Sequence, residues 1–238
     1  MLIHPWDRGD DAEWRAWLAP RDFGLLAVNG PGGAAPVLVP THFLFDGGQD
    51  VLLHLARPNP VWAAIEADPR VTLAVTDDYA FVPGPWRAAD GTPPEEGVPT
   101  SYYASVHLVC SATVVDDPAE KAALLDRQVR HFQPDTEHRT IIPGQAPFGR
   151  MLSGIRGLRL RIDEVLPKFK YDDKKPADLQ TAVAERLDER ARPSDAGARI
   201  QLLRRRDART DPGPDPRAEA PDDPRTGPAG SAGPAMPA

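Results

Sequence analysis

Phe23-Gly-Leu-Leu-Ala-Val28, Asn29-Gly30-Pro-Gly-Gly33, Pro36-Val-Leu-Val-Pro-Thr-His-Phe-Leu-Phe45, Asp46-Gly47-Gly48 and Val51-Leu-Leu-His-Leu55 stand almost end to end in the first quarter of the chain. Short apolar and β-branched runs separated by Asn-Gly and Asp-Gly signals are strands joined by tight turns, and their order predicts an antiparallel meander. Outward from it, further strands are predicted at residues 71–75, 79–82, 104–115 and 155–162, the last setting Leu158, Leu160 and Ile162 against Arg156, Arg159 and Arg161. Helices are predicted at 10–18, at 60–66 with Asn59 as N-cap and Pro60 in the first turn, at 118–132 behind Asp117, and at 177–190. Six or seven strands with few parallel crossovers predict a mainly β fold with flanking helices (α+β), a barrel rather than a doubly wound nucleotide fold.

The 238 residues, 41% hydrophobic and 26% charged, suffice for one good-sized domain. A formal charge of −7 argues against non-specific capture of nucleic acid or of an anionic membrane. The single cysteine, Cys110, excludes an intramolecular disulfide framework and a multi-cysteine metal site. The N-terminus lacks a basic region followed by an apolar core, and no run approaches a membrane span, so a cytoplasmic protein is expected. From Asp207 onward the composition is rich in Pro, Gly and Ala and has no aromatic residue. The folded domain is therefore placed at 1–192 and a largely disordered tail at 193–238, with Arg204, Arg205 and Arg206 read as a solvated face.

No GxGxxG, P-loop, GxSxG or HExxH pattern occurs, so the site has to be read from sparser signals. In His54-Leu-Ala-Arg-Pro-Asn-Pro-Val-Trp62 a strand runs into a helix start, where Arg57 and Asn59 offer an anion site or, more plainly, a surface charge and a cap. Three of the six histidines, His42, His54 and His107, fall within predicted strands and are candidates for a single axial haem ligand or for ordinary core histidines. Tyr102 and Tyr103 suit a pocket wall, and Lys168 and Lys170 lie on one side of an extended segment where they can carry protons or bind a carboxylate.

At these stretches the sequence resembles the PaiB-type proteins of the flavin-binding split-barrel superfamily, over most of residues 1 to 192. The resemblance rests on His54, Ala56, Arg57, Asn59, Pro60 and Trp62, and on Val98, Pro99, Thr100, Tyr103, Val106 and His107. Two departures, Val75-Thr-Asp-Asp-Tyr-Ala-Phe-Val82 and Lys168-Phe-Lys-Tyr-Asp-Asp-Lys-Lys-Pro176, are instead similar to the piperazate synthases, a haem-dependent branch of this fold, as are Pro99-Thr-Ser-Tyr-Tyr103 and Pro147-Phe-Gly-Arg-Met-Leu-Ser-Gly-Ile-Arg-Gly157. That resemblance implies a homodimeric split barrel holding haem b and converting N5-hydroxy-L-ornithine into L-piperazate with loss of water.

On this reading His54 is the first choice for the iron ligand, with His42 and His107 behind it. Arg57 meets a haem propionate, and Lys168, Lys170, Tyr102 and Tyr103 are the candidate acids and bases. The alternatives are an oxidoreductase that places FMN at the Arg57/Asn59 corner, and a PaiB-like negative transcriptional regulator. The second would need a basic recognition surface that this acidic chain does not show.

Overall fold

A computed structural model describes residues 1–89 and 91–210. Seven strands, β1 (Phe23–Val28), β2 (Val37–His42), β3 (Leu44–Phe45), β4 (Asp50–Ala56), β5 (Arg70–Val82), β6 (Thr100–Val115) and β7 (Ile155–Lys170), form one antiparallel sheet in the order β2-β1-β5-β6-β7-β4-β3. β2 and β3 occupy opposite edges of this sheet, yet only Phe43 separates them in the chain. The sheet must therefore curl until its two edges meet, which makes a barrel split at that seam. Phe43 is fully buried there, and its N–H donates to the Asp22 carbonyl at 2.7 Å.

Alternation fills the barrel. Leu26 and Val28, Leu73 and Val75, Val106 and Leu108, and Leu158 and Leu160 point inward and are all but inaccessible, whereas their neighbours along each strand face out. The two strands predicted at 71–75 and 79–82 are a single strand. A bulge between Asp77 and Ala80, with Asp78 at φ 53°, carries β5 past the break without ending it.

The helices are α1 (Asp11–Leu18), α2 (Val61–Ala67), α3 (Pro118–Phe132), α4 (Ala177–Arg190) and α5 (Asp195–Thr210). Asp117 caps α3 by accepting from backbone N–H groups, as its spacing predicts, and Asp10, placed inside the predicted helix, is instead the cap of α1. α5 corrects the boundary placed at residue 192. Ala198 and Leu202 are fully buried, and Gly197 rests so closely on the β5 bulge that a Cβ there would stand 2.2 Å from Asp78 Oδ1. The arginine run is likewise not a plain solvated face. Arg205 is 9% exposed and donates to Glu13 at 2.6 and 2.7 Å and to Asp173 at 2.7 Å, tying α5 to α1 and to the end of β7. The remainder of the predicted tail, 211–238, lies outside the described residues.

Candidate functional site

Closing the barrel brings the two edge histidines together. His42 ends β2 and His54 lies on β4 beside the opposite edge, and their ring centroids are 5.1 Å apart. α3 covers the pair: Phe132 packs edge-on against His42 at 5.1 Å, and Gln128, 1% exposed, reaches His54. Gln128 Nε2 donates to the Leu52 carbonyl at 3.2 Å, which aims Oε1 at His54 Nδ1, 2.7 Å away. With the amide so oriented, Nδ1 carries the proton and Nε2 is left with a free lone pair, the tautomer a metal-binding imidazole needs. Burial and the neighbouring His54 hold the His42 pKa below its ordinary value.

The corner predicted at Arg57 and Asn59 has a different character. The Arg57 guanidinium donates to both oxygens of Asp116 at 2.6 and 3.2 Å and to the Ser153 carbonyl at 2.8 Å. Asp116 also takes the buried Lys121 ammonium at 3.1 Å, and these contacts hold its carboxyl down at about 2. Arg57, Asp116 and Lys121 border a cleft of about 480 Å³, the single carboxylate being shared by both cations. Asn59 Oδ1 accepts the Val61 N–H at 3.0 Å and caps α2, a helix too short to present an anion site of its own. The expected anion anchor is thus a structural ion pair and a helix cap.

A second polar group faces outward from β6 and β7. Tyr103 lies opposite Lys170 and Ser105 opposite Lys168, so Tyr103, Ser105 and His107 share one face with both lysines. The Lys168 ammonium lies 5.4 Å from the Tyr103 ring centroid and donates to the Leu2 carbonyl at 2.8 Å, and Lys170 donates to Thr100 Oγ1 at 3.0 Å. His107 belongs to this group and not to the His42/His54 pair. Its pKa is lowered by burial and then by the chain's own terminal amine.

Tyr102 does not belong to this face. It is fully buried on the inner side, donates to Asp172 Oδ2 at 3.0 Å, and has its phenol pKa pushed up by burial and by Asp172. It is a structural tyrosine, fixed together with the Arg87–Asp172 pair at 2.6 Å, and not a proton carrier.

The two polar groups occupy one outer belt of the barrel. His42 pairs with Phe23 on β1, β1 lies against β5, Thr76 of β5 pairs with Ser105, and Ser105 pairs with Lys168. Four strand spacings separate His42 from Lys168, roughly 19 Å around the surface. Between and beside them Phe23 and Leu38 are 63% and 57% exposed, and Leu25, Ala27 and Ala74 are half-buried. Sequence reasoning does not single out Gln128 or Asp7, the latter buried at the end of the turn Pro5–Asp7. Both are ordinary polar residues that acquire meaning only through what packs against them.

Among the described residues no cluster of three His, Cys, Asp or Glu side chains is arranged to hold a metal ion, and no helix is long and apolar enough to cross a membrane.

A curled antiparallel sheet with helices on its rim and a polar belt on its outer face defines a split barrel of the flavin-binding kind. Residues 1–164 match the family described as "Putative FMN-binding domain", and the chain belongs to that family. Its fold is similar to that of the FAD and heme binding protein from Mycobacterium smegmatis, at 19% identity, TM-score 0.55, covering 75% of this chain and 79% of that one. It is also similar to the flavocytochrome Anf3 from Azotobacter vinelandii, at 21% identity, TM-score 0.51 and 69% of both chains. A conserved hypothetical protein from Mycobacterium tuberculosis gives 15% identity, TM-score 0.52 and coverages of 74% and 94%. At these identities the likeness is one of fold. No curated protein matches the chain in sequence.

Proposed function

We propose that this protein is a haem-dependent cyclase that closes N5-hydroxy-L-ornithine to L-piperazate, working as a homodimer in the cytoplasm. The observation that carries the reading is His54, whose Nδ1 is fixed by a buried Gln128 while Nε2 stays free, the arrangement that prepares an imidazole to ligate iron. Solved neighbours of this fold described as a flavocytochrome and as an FAD and heme binding protein support the cofactor class. His42 and Phe132 would wall the ligand, and the apolar belt of exposed Phe23 and Leu38 with half-buried Leu25 would cover the macrocycle or meet a second copy of the chain.

Bound haem would supply Lewis-acid activation of the hydroxylamine N–O bond. The chain has the remaining tasks. The α-nitrogen bonds to N5 as the N5–O bond breaks, the oxygen leaves as water, and no net oxidation or reduction occurs. Lys168 and Lys170 can deliver the proton that the departing oxygen takes, and Tyr103 lines the same face; Tyr102 has no part. In a dimer the partner's copy of this face can complete the His54 site.

The family match favours a second reading, a flavin-binding oxidoreductase. Weighing against it is Arg57, whose guanidinium is already paired with Asp116 where an FMN phosphate would be expected to bind. Absorption spectra of protein purified from cells fed a haem precursor separate the two. A Soret band, together with a cyclic product one water lighter than N5-hydroxy-L-ornithine, supports the cyclase, and a flavin spectrum without product overturns it.

A further inference from the structure

Among the described residues the buried lysines and arginines are Lys121, Lys168 and Arg205. A buried cation costs free energy unless a counter-charge meets it, and two of these are met in that way. The Lys121 ammonium donates to Asp116 at 3.1 Å, and Arg205 donates to Glu13 at 2.6 and 2.7 Å and to Asp173 at 2.7 Å. Lys168, 8% exposed, differs: the acceptor of its ammonium is the neutral carbonyl of Leu2 at 2.8 Å.

The next residue on the same face of β7 repeats the pattern. Lys170 is half-buried and donates to Thr100 Oγ1, again a neutral oxygen, at 3.0 Å. No carboxylate of the described residues lies within ion-pair distance of either ammonium, and Asp7 acts on both from farther away. The two nitrogens stand 5.4 and 6.0 Å from the centroid of one ring, that of Tyr103. Residues two apart on a strand are separated by about 7 Å, a gap that one carboxylate spans when it accepts a bond of about 2.8 Å from each side. An ammonium has three N–H donors, and each of these uses one on the chain. The Tyr103 hydroxyl, without a hydrogen-bond partner among the described residues, adds a donor on the same face.

We propose that Lys168 and Lys170 form a carboxylate-binding site, in which the two oxygens of the ligand bridge the two ammoniums and the Tyr103 hydroxyl is a further donor. The charge missing at this point of the fold is negative, and a carboxylate supplies it in the planar, two-oxygen form that donors arriving from two sides fit. Such a group is carried by an amino-acid substrate and also by the propionate arms of haem. Naming either source rests on the cyclase reading, whereas the site itself does not. With one N–H on the chain and one on the ligand, each ammonium keeps a third for the proton that the departing oxygen takes.

The test uses the full chain, comparing the native protein with Lys170→Met and with Lys170→Arg, which keeps the charge. In one arm, calorimetry on protein purified from haem-fed cells sets L-ornithine against 1,4-diaminobutane, which lacks the carboxylate. In the other, absorption titration of the apoprotein sets haem against its dimethyl ester, whose propionates are uncharged. The native chain should prefer the carboxylate-bearing member of one pair by about 10-fold or more, Lys170→Met should erase that preference by weakening that member alone, and Lys170→Arg should restore it. A response in the ornithine arm assigns the site to the substrate, and one in the haem arm assigns it to a propionate. Equal binding within both native pairs overturns the proposal, as does a loss shared equally by both members of a pair in Lys170→Met. Displacement of the carboxylate ligand by equimolar inorganic phosphate also overturns it, since that marks a general anion site. Product from N5-hydroxy-L-ornithine is measured separately: its absence with the native protein fails the cyclase reading, while the two arms still decide the carboxylate site.

Discussion

His54 and Arg57 lie only three positions apart around the end of β4, and the molecule treats them in opposite ways. Arg57 is met by a carboxylate and by backbone carbonyls that engage all three of its nitrogens. His54 is met by a neutral amide that engages one ring nitrogen and leaves the other. A side chain in a promising motif is available for a ligand only if its own fold has not already satisfied it. On the proposed reading the cofactor contact falls to the histidine and not to the arginine.

Replacement of His54 by Ala should have the largest effect: protein from haem-fed cells should lose its Soret band while its far-ultraviolet circular dichroism is retained. An unaltered spectrum would break the comparison at its strongest point. Gln128→Leu keeps the bulk of the side chain but removes the acceptor that fixes His54, so haem titration of the apoprotein should show affinity weakened by about 10–100-fold.

Arg57→Met should leave haem affinity where it was. Its effect belongs to acid stability, because Asp116 sits at about 2 in the folded chain against an ordinary 3.8. A carboxylate lowered in this way contributes stability that is fully present above 3.8 and disappears as the pH falls through about 2. The variant should thus begin to unfold at higher pH in an acid titration followed by circular dichroism, with Lys121 preserving part of the protection.

The smallest effect is expected from His42→Gln. The folded pKa of His42 lies below 6.5, so the native chain binds fewer protons folded than unfolded and loses stability as the pH falls below 6.5. The variant should show a flatter dependence of Tm on pH there. Flattening should be partial, since His107 is shifted in the same direction. A steeper dependence would contradict the burial assigned to His42.

Much of the barrel is legible in the residues because strand alternation and turn chemistry are local. Phe23–Val28 is found where its pattern places it, and the caps at Asp10 and Asp117 act within three residues of themselves. The bulge at Asp78 hides in an unremarkable Thr-Asp-Asp-Tyr run, because its cause is remote: Trp17 and Arg21 donate to the Asp78 carboxylate and Tyr171 to its carbonyl. The end of β7 reads as a charged extended run, but Lys168 and Lys170 are strand residues paired with Ser105 and Tyr103. α5 is missed for a similar reason. Its arginines look solvated until Glu13 and Asp173, distant in sequence, are brought against Arg205.

The sequence by itself determined the strands, most of the helices and the candidate side chains, since each depends on spacing within a few residues. Which candidates act together was decided only by the tertiary structure. Curling the sheet until β2 and β3 meet joins His42 to His54 and leaves His107 with the lysines. The partners that orient His54 and engage Arg57 come from segments far along the chain, and contacts of that range are set by packing, not by local pattern.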